Sequence, residues 1–335
     1  WCAVGAAPRN LDPTRRVADL GRRLEDALDR ARDEWFVLGR ALGQDTSAVL
    51  AHAPACAANA SDLGLMLAWT RLVDRWAAEA EAVLLVCDDP WLFRHLANRT
   101  GVQSGRPPAL IAAELGLRLR GFAARLKVSL RMFAAALRFA GRPRPSPGGA
   151  WVLSYAHPGS AADGTDAYFG ELMCDLPGLR RILHVDGPSR RAQALCGGGT
   201  ASLHAFGSLL AALGLWRARW RPRAEGPNAW LIRRAAAREG STGQAAMIAW
   251  QIHCQERWLA DARPTVVVWP WENHSWERAL VRACRRRAVR TVGYQHATVG
   301  RHEWNHAPAS NPDEASLPDR ILCSGPAGAA RLSAF

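Results

Sequence analysis

The stretch WPWENHSWE, Trp269 to Glu277, places two carboxylates, an imidazole and three indole rings within nine residues. It starts within the apolar run TVVVWP, which predicts a buried strand, and it runs into an amphipathic helix. Glu272, Asn273 and His274 therefore fall in a loop at a strand's carboxyl end, where open parallel sheets bind ligands. A carboxylate between tryptophans is expected to have a raised pKa and to act as a general acid or base, or to bind sugar hydroxyls. The alternative is that Glu272 only fixes the loop.

The neighbouring residues have structural as well as functional interpretations. Ser275 is expected to cap the helix, and Glu277 lies in its first turn, where an acid favours the positive helix end. Trp271 and Trp276 are candidates for an aromatic wall, because indole rings pack against the apolar faces of sugars. Trp269 alternates with the strand and is expected in the core.

Polar residues also end the other predicted strands. They are Asp88 and Asp89 after EAVLLV, Asp163, Asp166 and Tyr168 after WVLSYA, and Gln295 and His296 at the end of RTVGYQH. Since parallel strands present their carboxyl ends at one edge of a sheet, we predict that these residues share a crevice with Glu272. His296 is the second catalytic candidate; the alternative is an ordinary hydrogen-bonding residue at a strand end.

Motifs for metals and bound cofactors are absent from the sequence. The eight cysteines include no CxxC pair, and His302, Glu303 and His306 fit no standard ligand spacing. The segment CGGGTAS lacks the lysine of a P-loop and the GxGxxG spacing of dinucleotide-binding folds. We therefore expect neither a metal site nor a bound cofactor, and scattered cysteines of this kind are typical of a reducing cytoplasm.

The elements that must position these residues alternate between helix and strand. Residues 1–80 are predicted to be an amino-terminal helical region, with an amphipathic helix over 12–42. Ala82–Val86 is expected to begin a doubly wound sheet, and strands and helices alternate again after Ala150. This order predicts an α/β fold, a Rossmann-like parallel sheet over residues 81–317 with helices on both faces.

A basic amphipathic helix is predicted over residues 108–140, followed by a proline-rich linker over 141–149. Its apolar stripe is Leu115, Leu119, Phe122, Leu126, Leu130, Phe133 and Leu137, and Arg120, Lys127, Arg131 and Arg138 lie on the other side. Between Leu115 and Ala162 the chain has eight basic residues and no acidic one. Contact with an anionic membrane surface is one interpretation, and a helix packed on the core with solvated arginines is the other. Nucleic acid is an unlikely partner, because base-stacking aromatic residues are not interleaved with the charges.

The segments VLLVCDDPWLFRHLA, SAADGTDAYFGELMCDLPG and WENHSWERALVRACRRRAVRTVGYQHATV resemble bacterial surface carbohydrate biosynthesis proteins of capsule and lipopolysaccharide pathways. More broadly, they are similar to glycosyltransferases of the GT-B fold, which has two Rossmann-like domains. The resemblance implies an amino-terminal acceptor domain with the catalytic base, and a second domain that binds the nucleotide sugar. Residues 318–335 would begin that second domain, so the chain is expected to be a fragment that does not turn over alone.

The resemblance also implies substrates, site residues and a location. The substrates are a nucleotide-sugar donor and a glycan or lipid-linked acceptor, and the location is cytoplasmic, peripheral on the inner face of the cytoplasmic membrane. The cleft residues carried over are Glu272, Asn273, Trp276, Glu277, Gln295 and His296, with Asp163, Asp166 and Tyr168 on a second loop. A sugar-nucleotide epimerase of similar architecture and a non-catalytic membrane-binding protein remain as alternatives.

Overall fold

The first part of the chain is mainly helical. The computed structural model describes residues 1–6, 9–311 and 313–335. Its first elements are β1 (Cys2–Val4), α1 (Leu20–Arg30), α2 (Arg32–Gly43), α3 (Asp62–Ala78), β2 (Leu85–Cys87), α4 (Pro90–Ala97) and α5 (Leu110–Phe139). The helix predicted over 12–42 thus begins only at Leu20 and is two helices that meet at Ala31. β2 pairs with β1 in a separate two-stranded parallel sheet, so the strand predicted at Ala82–Val86 does not begin the main sheet.

The second part alternates strand and helix, as predicted. Its elements are β3 (Ala150–Ser154), α6 (Leu172–Asp175), β4 (Arg180–Leu183), α7 (Ser189–Leu195), β5 (Thr200–Ser202), α8 (Leu209–Gly214), α9 (Ala229–Glu239), α10 (Gln244–Ala262), β6 (Val266–Pro270), α11 (Ser275–Arg285), β7 (Arg290–Gln295), β8 (Arg320–Cys323) and α12 (Pro326–Ser333). The six strands β3 to β8 form one parallel sheet in the order β5-β4-β3-β6-β7-β8. This order is that of doubly wound Rossmann-like folds, in which the chain reverses direction across the sheet between the first and fourth strands. The switch point here lies between β3 and β6.

The carboxyl-terminal residues belong to this same sheet. β8 pairs with β7 in register from Val292 and Arg320 onward. Asp319 holds the start of that pair, because its carboxylate accepts hydrogen bonds from both the amide and the hydroxyl of Thr291 at 2.8 Å. Residues 320–323, near the start of the segment predicted to open a second domain, therefore form the edge strand of the first one.

Burial of large aromatic side chains joins the two parts of the chain. Trp151, Trp258 and Trp269 are fully buried within the apolar cluster of the main sheet. A second cluster is built from the amino-terminal helices, and Trp304, which follows β7, packs within it with its ring 5.8 Å from that of Trp35. The segment after β7 thus fixes the sheet against the amino-terminal region.

Helix α5 matches the predicted range but packs through a different face from the predicted apolar stripe. Its buried residues are mostly small, namely Gly121, Arg125, Ser129, Met132, Ala135, Ala136 and Phe139. Six of the seven predicted stripe residues are exposed and the seventh, Phe133, is half-buried. Of the cations assigned to a membrane surface, Arg131 donates to the Gly187 carbonyl at 2.8 Å and Arg138 to the Ser189 hydroxyl, so both are held by the loop that ends at α7.

The close approach of α5 to the turn after α9 requires a glycine. A Cβ atom at Gly121 would overlap the carbonyl oxygen of Gly240. At Gly116 of the same helix, no atom lies within 4 Å of such a Cβ. The two glycines therefore offer a matched pair of sites for one substitution.

We expect Gly121→Ala to lower the free energy of unfolding by about 1–3 kcal/mol, because the methyl group forces the helix away from the turn. Gly116→Ala is expected to raise it by up to about 1 kcal/mol, since alanine favours the helix. Urea unfolding of both variants measures the difference. Equal effects of the two substitutions would contradict the close contact.

Candidate functional site

The loop at the carboxyl end of β6 lies beside the switch point of the sheet. The Trp271 amide donates to the Tyr294 carbonyl at 2.8 Å, which keeps the chain in register with β7 as it leaves the strand. Residues 272–274 then turn into α11, which begins at Ser275 with His274, not Ser275, as its N-cap. This arrangement brings the ends of β6 and β7 together where ligands of parallel sheets bind.

A buried carboxylate determines the shape of this loop. Glu277 accepts a hydrogen bond from the Trp269 indole at 2.8 Å and one from each of the backbone amides of Glu272, Asn273 and His274 at 3.1 to 3.3 Å. Burial raises its pKa, although His274 and these donors favour the charged form. Glu277 was predicted to bind substrate, but it is 1% exposed and acts as the anchor of the loop.

Asn273 is likewise a structural residue. It adopts a left-handed conformation, with φ 60°, which asparagine tolerates better than most residues. Its side chain is completely buried and donates to the carbonyl of Asn305 at 2.6 Å and to the side chain of Asn311 at 3.1 Å. The prediction that Asn273 contacts substrate is not supported by this position.

Glu272 points outward and pairs with His274. Its Oε2 lies 2.8 Å from His274 Nε2, and His274 Nδ1 lies 3.0 Å from the carbonyl of Ala55. Because both ring nitrogens face oxygen acceptors, only the doubly protonated imidazolium satisfies both contacts. Burial alone would lower the pKa of His274, but the bond to Glu272 and the nearby Glu277 carboxylate raise it.

The pKa of Glu272 is lowered, contrary to the sequence-based expectation. The bond from His274 is the largest cause, and the charges of His274 and His296 add to it against a smaller effect of burial. The expected rise assumed that tryptophans flank the carboxylate. Trp269 and Trp271 are instead buried in the core, so two imidazoles are the neighbours that determine this pKa.

His296 completes the group from the end of β7. Its Nε2 lies 3.9 Å from Glu272 Oε1, so the two oxygens of one carboxylate face two imidazoles. The Tyr168 ring packs edge-on against His296 with ring centroids 5.1 Å apart. Nδ1 of His296 is buried and has no hydrogen-bond partner. The prediction that Glu272, His296 and Tyr168 lie together is confirmed.

Glu272 and His274 also line a cavity of about 240 Å³. Tyr155, His184 and Trp276 supply aromatic walls, and both Tyr155 and Trp276 lie with ring centroids 4.7 Å from that of His184. Gln251 and Ser275 also line it. Trp276 is therefore the one predicted aromatic-wall residue that the structure places beside a cavity.

The polar groups of this cavity are mostly neutral. Burial lowers the pKa of His184 to about 3, and its Nδ1 accepts a bond from the Asp186 amide, so the remaining proton is on Nε2. Burial, followed by the charge of His274, lowers the pKa of His52 to about 4. His184 Nε2, Gln251 Nε2 and Ser275 Oγ are buried without partners. Unpaired buried donors are costly, and a ligand that accepts hydrogen bonds would offset that cost.

Several predicted site residues lie elsewhere. Asp88 accepts a bond from the Ala6 amide, and Asp89 caps α4 and pairs with Arg234 at 2.7 Å, because their strand belongs to the small sheet. Asp166 forms a completely buried pair with Arg181 at 3.3 Å, and Asp163 is exposed and accepts from the Thr165 amide. These aspartates are structural in their observed positions.

Two further residues that were predicted to bind substrate, Trp271 and Gln295, are buried away from the cavity. Trp271 is 1% exposed and packs edge-on against His306, so it forms no surface wall. Gln295 alternates with His296 along β7 and points to the other face, where a Cβ at Gly328 of α12 would overlap its Oε1.

Among the cavity residues that were not predicted are His52, Tyr155, His184 and Gln251. Tyr155 and His184 directly follow β3 and β4, so the rule that ligands bind at carboxyl ends of strands was sufficient to find them. His52 comes from the amino-terminal region and Gln251 from the middle of α10. No pattern in the sequence brings those two positions together.

The surroundings of the site offer no metal centre. Across residues 1–6, 9–311 and 313–335, no group of three His, Cys, Asp or Glu side chains is arranged to hold an ion. His302 binds Asp29 at 3.0 Å, and His306 lies against Trp271. Both histidines therefore support the loop after β7.

Comparison of the chain with protein-family models, curated proteins and solved structures found no match.

We expect the Glu272–His274 pair to give a specific pH dependence. A raised His274 pKa stabilises the fold fully below about pH 6.5, and this contribution is lost as the pH rises through the raised value. A lowered Glu272 pKa stabilises it above about pH 4.5, and this contribution is lost as the pH falls. The difference in unfolding free energy between wild type and Glu272→Gln should therefore be largest between about pH 4.5 and 6.5.

The histidine resonances of the folded protein give a direct measurement. In Glu272→Gln the pKa of His274 should fall below its wild-type value, since burial remains and the partner charge is gone. Glu225→Gln, which changes an exposed carboxylate outside the site, should leave it unchanged. An unchanged His274 pKa in Glu272→Gln would refute the ion pair.

Proposed function

We propose that this protein is a glycosyltransferase of the GT-B type that moves a sugar from a nucleotide-activated donor to a hydroxyl of a cell-surface glycan or lipid-linked acceptor. The observation that carries the proposal is the half-exposed Glu272 carboxylate between His274 and His296 at the switch point of a parallel sheet. This is the arrangement of a base with an orienting carboxylate in a ligand-binding crevice.

In this proposal Nε2 of His296, the ring nitrogen that faces Glu272, accepts the proton of the acceptor hydroxyl. Imidazole is the side chain best suited to proton transfer near neutral pH, and a carboxylate 3.9 Å away stabilises the imidazolium that forms. The acceptor oxygen forms a bond to the anomeric carbon as the bond from that carbon to the phosphate oxygen breaks. The nucleotide leaves with the electron pair of the broken bond, and His296 holds the proton.

The roles of the neighbouring groups follow from their contacts. His274, held by the Ala55 carbonyl, keeps Glu272 ionised and fixes the direction of its second oxygen toward His296. The cavity beside Glu272 combines aromatic faces with neutral donors, a composition that suits an uncharged sugar ring. The acceptor sugar would therefore lie over Tyr155 and Trp276, with the reacting hydroxyl at the edge of the cavity that Glu272 forms, beside His296 Nε2.

Because the GT-B type binds its nucleotide sugar in a second domain, the test is a transfer assay on a form of the protein that carries such a domain. The assay measures nucleotide release from a panel of nucleotide sugars in the presence of glycan and lipid-linked acceptors. His296→Gln should lower the rate about 10²–10⁴-fold, because the proton acceptor is lost. Glu272→Gln should also lower it. The double variant should be no slower than His296→Gln alone, since the two residues act as a unit. Glu225→Gln is the control and should retain the wild-type rate.

Two results would count against the proposal. A wild-type rate in His296→Gln would remove the histidine from the mechanism. Conversion of a nucleotide sugar into its epimer without any acceptor would instead identify a sugar-nucleotide epimerase.

A further inference from the structure

The apolar stripe of α5 faces solvent along the length of the helix. Ile111, Leu115, Leu119, Phe122, Leu126, Leu130 and Leu137 are between 40% and 83% exposed. The helix has 30 residues and is therefore about 45 Å long. Soluble proteins rarely leave a continuous row of large apolar side chains in water unless the row contacts a partner.

The neighbouring segment widens this surface. Helix α8 packs beside α5, and the Ser129 hydroxyl of α5 donates to the Ala212 carbonyl at 2.5 Å. Leu209, Leu210, Leu213 and Trp216 are exposed there, and the Trp216 ring lies edge-on to that of Phe122. Of the seventeen large apolar side chains that are exposed in the described part of the chain, eleven belong to this surface. We call it the leucine surface.

A cluster of arginines borders the leucine surface. A cavity of about 360 Å³ is lined by Arg118 and Arg125 of α5, Arg219 and Arg221 of the segment after α8, and Arg233 of α9. Among the described residues that line it, only Glu114 is acidic, and it pairs with Arg118 at 3.5 Å. We call this the arginine cavity.

The arginine cavity has a fixed framework. Arg125 is 5% exposed and donates to the carbonyl of Trp216 at 3.0 Å and to that of Gly240 at 2.6 Å. It thereby holds α5, the turn after α8 and the end of α9 together. Burial, and then the charges of Arg219 and Arg221, lower its pKa. Like charges held this close repel each other, and a bound anion would remove that repulsion.

The charges distinguish between partners for the leucine surface. Arg120 and Lys127 are exposed on its other edge, so cations flank it on both sides. A second copy of the chain would bring these like charges together, which disfavours self-association through this face. An anionic bilayer matches both the apolar row and the flanking cations, because its acyl region contacts the leucines and its phosphates bind the cations.

We propose that α5 lies in the surface of an anionic membrane, with the leucine surface in the acyl boundary and a phospholipid phosphate in the arginine cavity. The orientation is parallel to the bilayer. No helix in the described ranges of the chain is long and apolar enough to cross a membrane. This inference is independent of the proposed sugar transfer.

Sedimentation with vesicles tests the apolar component. The protein should bind vesicles of equal parts phosphatidylcholine and phosphatidylglycerol more tightly than vesicles of phosphatidylcholine alone. Leu119→Glu combined with Phe122→Glu should abolish binding to both, because the charges prevent insertion. Leu176→Glu, at an exposed leucine outside this surface, is the control and should bind as wild type.

A second pair of variants tests the arginine cavity. Arg219→Ala with Arg221→Ala should weaken binding to the anionic vesicles about 25-fold, since each arginine near such a surface contributes about fivefold. Arg40→Ala with Arg257→Ala removes the same charge from exposed positions on α2 and α10 and should have a much smaller effect. An equal loss in both pairs would mean that net charge, not the cavity, attracts the lipid.

Other results would overturn the docking surface itself. Vesicle binding that survives Leu119→Glu with Phe122→Glu would exclude the leucine surface. Light scattering that shows a dimer, dissociated by that same variant in a protein that does not bind vesicles, would assign the surface to a second copy. Thermal stabilisation by inorganic phosphate without vesicle binding would assign the cavity to a soluble anion.

Discussion

The candidate site depends on one buried carboxylate, that of Glu277. Burying its charge is costly, and the cost is offset by four N–H donors and by the start of α11. Three of those donors are the backbone amides of residues 272–274, so the loop can satisfy the carboxylate only in one conformation. That conformation turns Asn273 inward and leaves Glu272 and His274 facing outward as a pair. The exposed chemistry of the site is therefore a consequence of a buried electrostatic constraint.

The loop over residues 272–274 is also held by contacts with distant parts of the chain. His274 donates to the carbonyl of Ala55, and the backbone at His52 and Ala53 is held by the Glu239 carboxylate at the end of α9. Asn273 binds the segment after β7 through Asn305, one residue beyond Trp304, which is buried among the amino-terminal helices. The amino-terminal region thus completes one wall of the site. It is not an appendage to the sheet.

The fold class and the centre of the site were predictable from the sequence, and their details were not. Alternating strands and helices specify a parallel sheet, and consecutive strands in such a sheet bring residues 272 and 296 to one edge. The prediction that Asp88 and Asp89 belong to the site was wrong, because an apolar run does not reveal which strand it pairs with. The strand before them, β2, pairs with three residues at the start of the chain. Asp166 is satisfied by Arg181, and only tertiary structure shows a pair of that kind.

Helix α5 shows why periodicity cannot decide which face of a helix is buried. A stripe of large apolar residues is typical of a core-facing surface, yet here the small residues of the other face allow the backbone to approach the turn at Gly240. Gly121 permits that contact, and Arg125 satisfies carbonyls that the contact would otherwise bury without partners. Both faces of the helix are therefore suited to packing. The buried face, with Gly121 and Arg125, packs against the rest of this chain. The leucine surface, with cations on both sides, suits a partner surface that is both apolar and anionic.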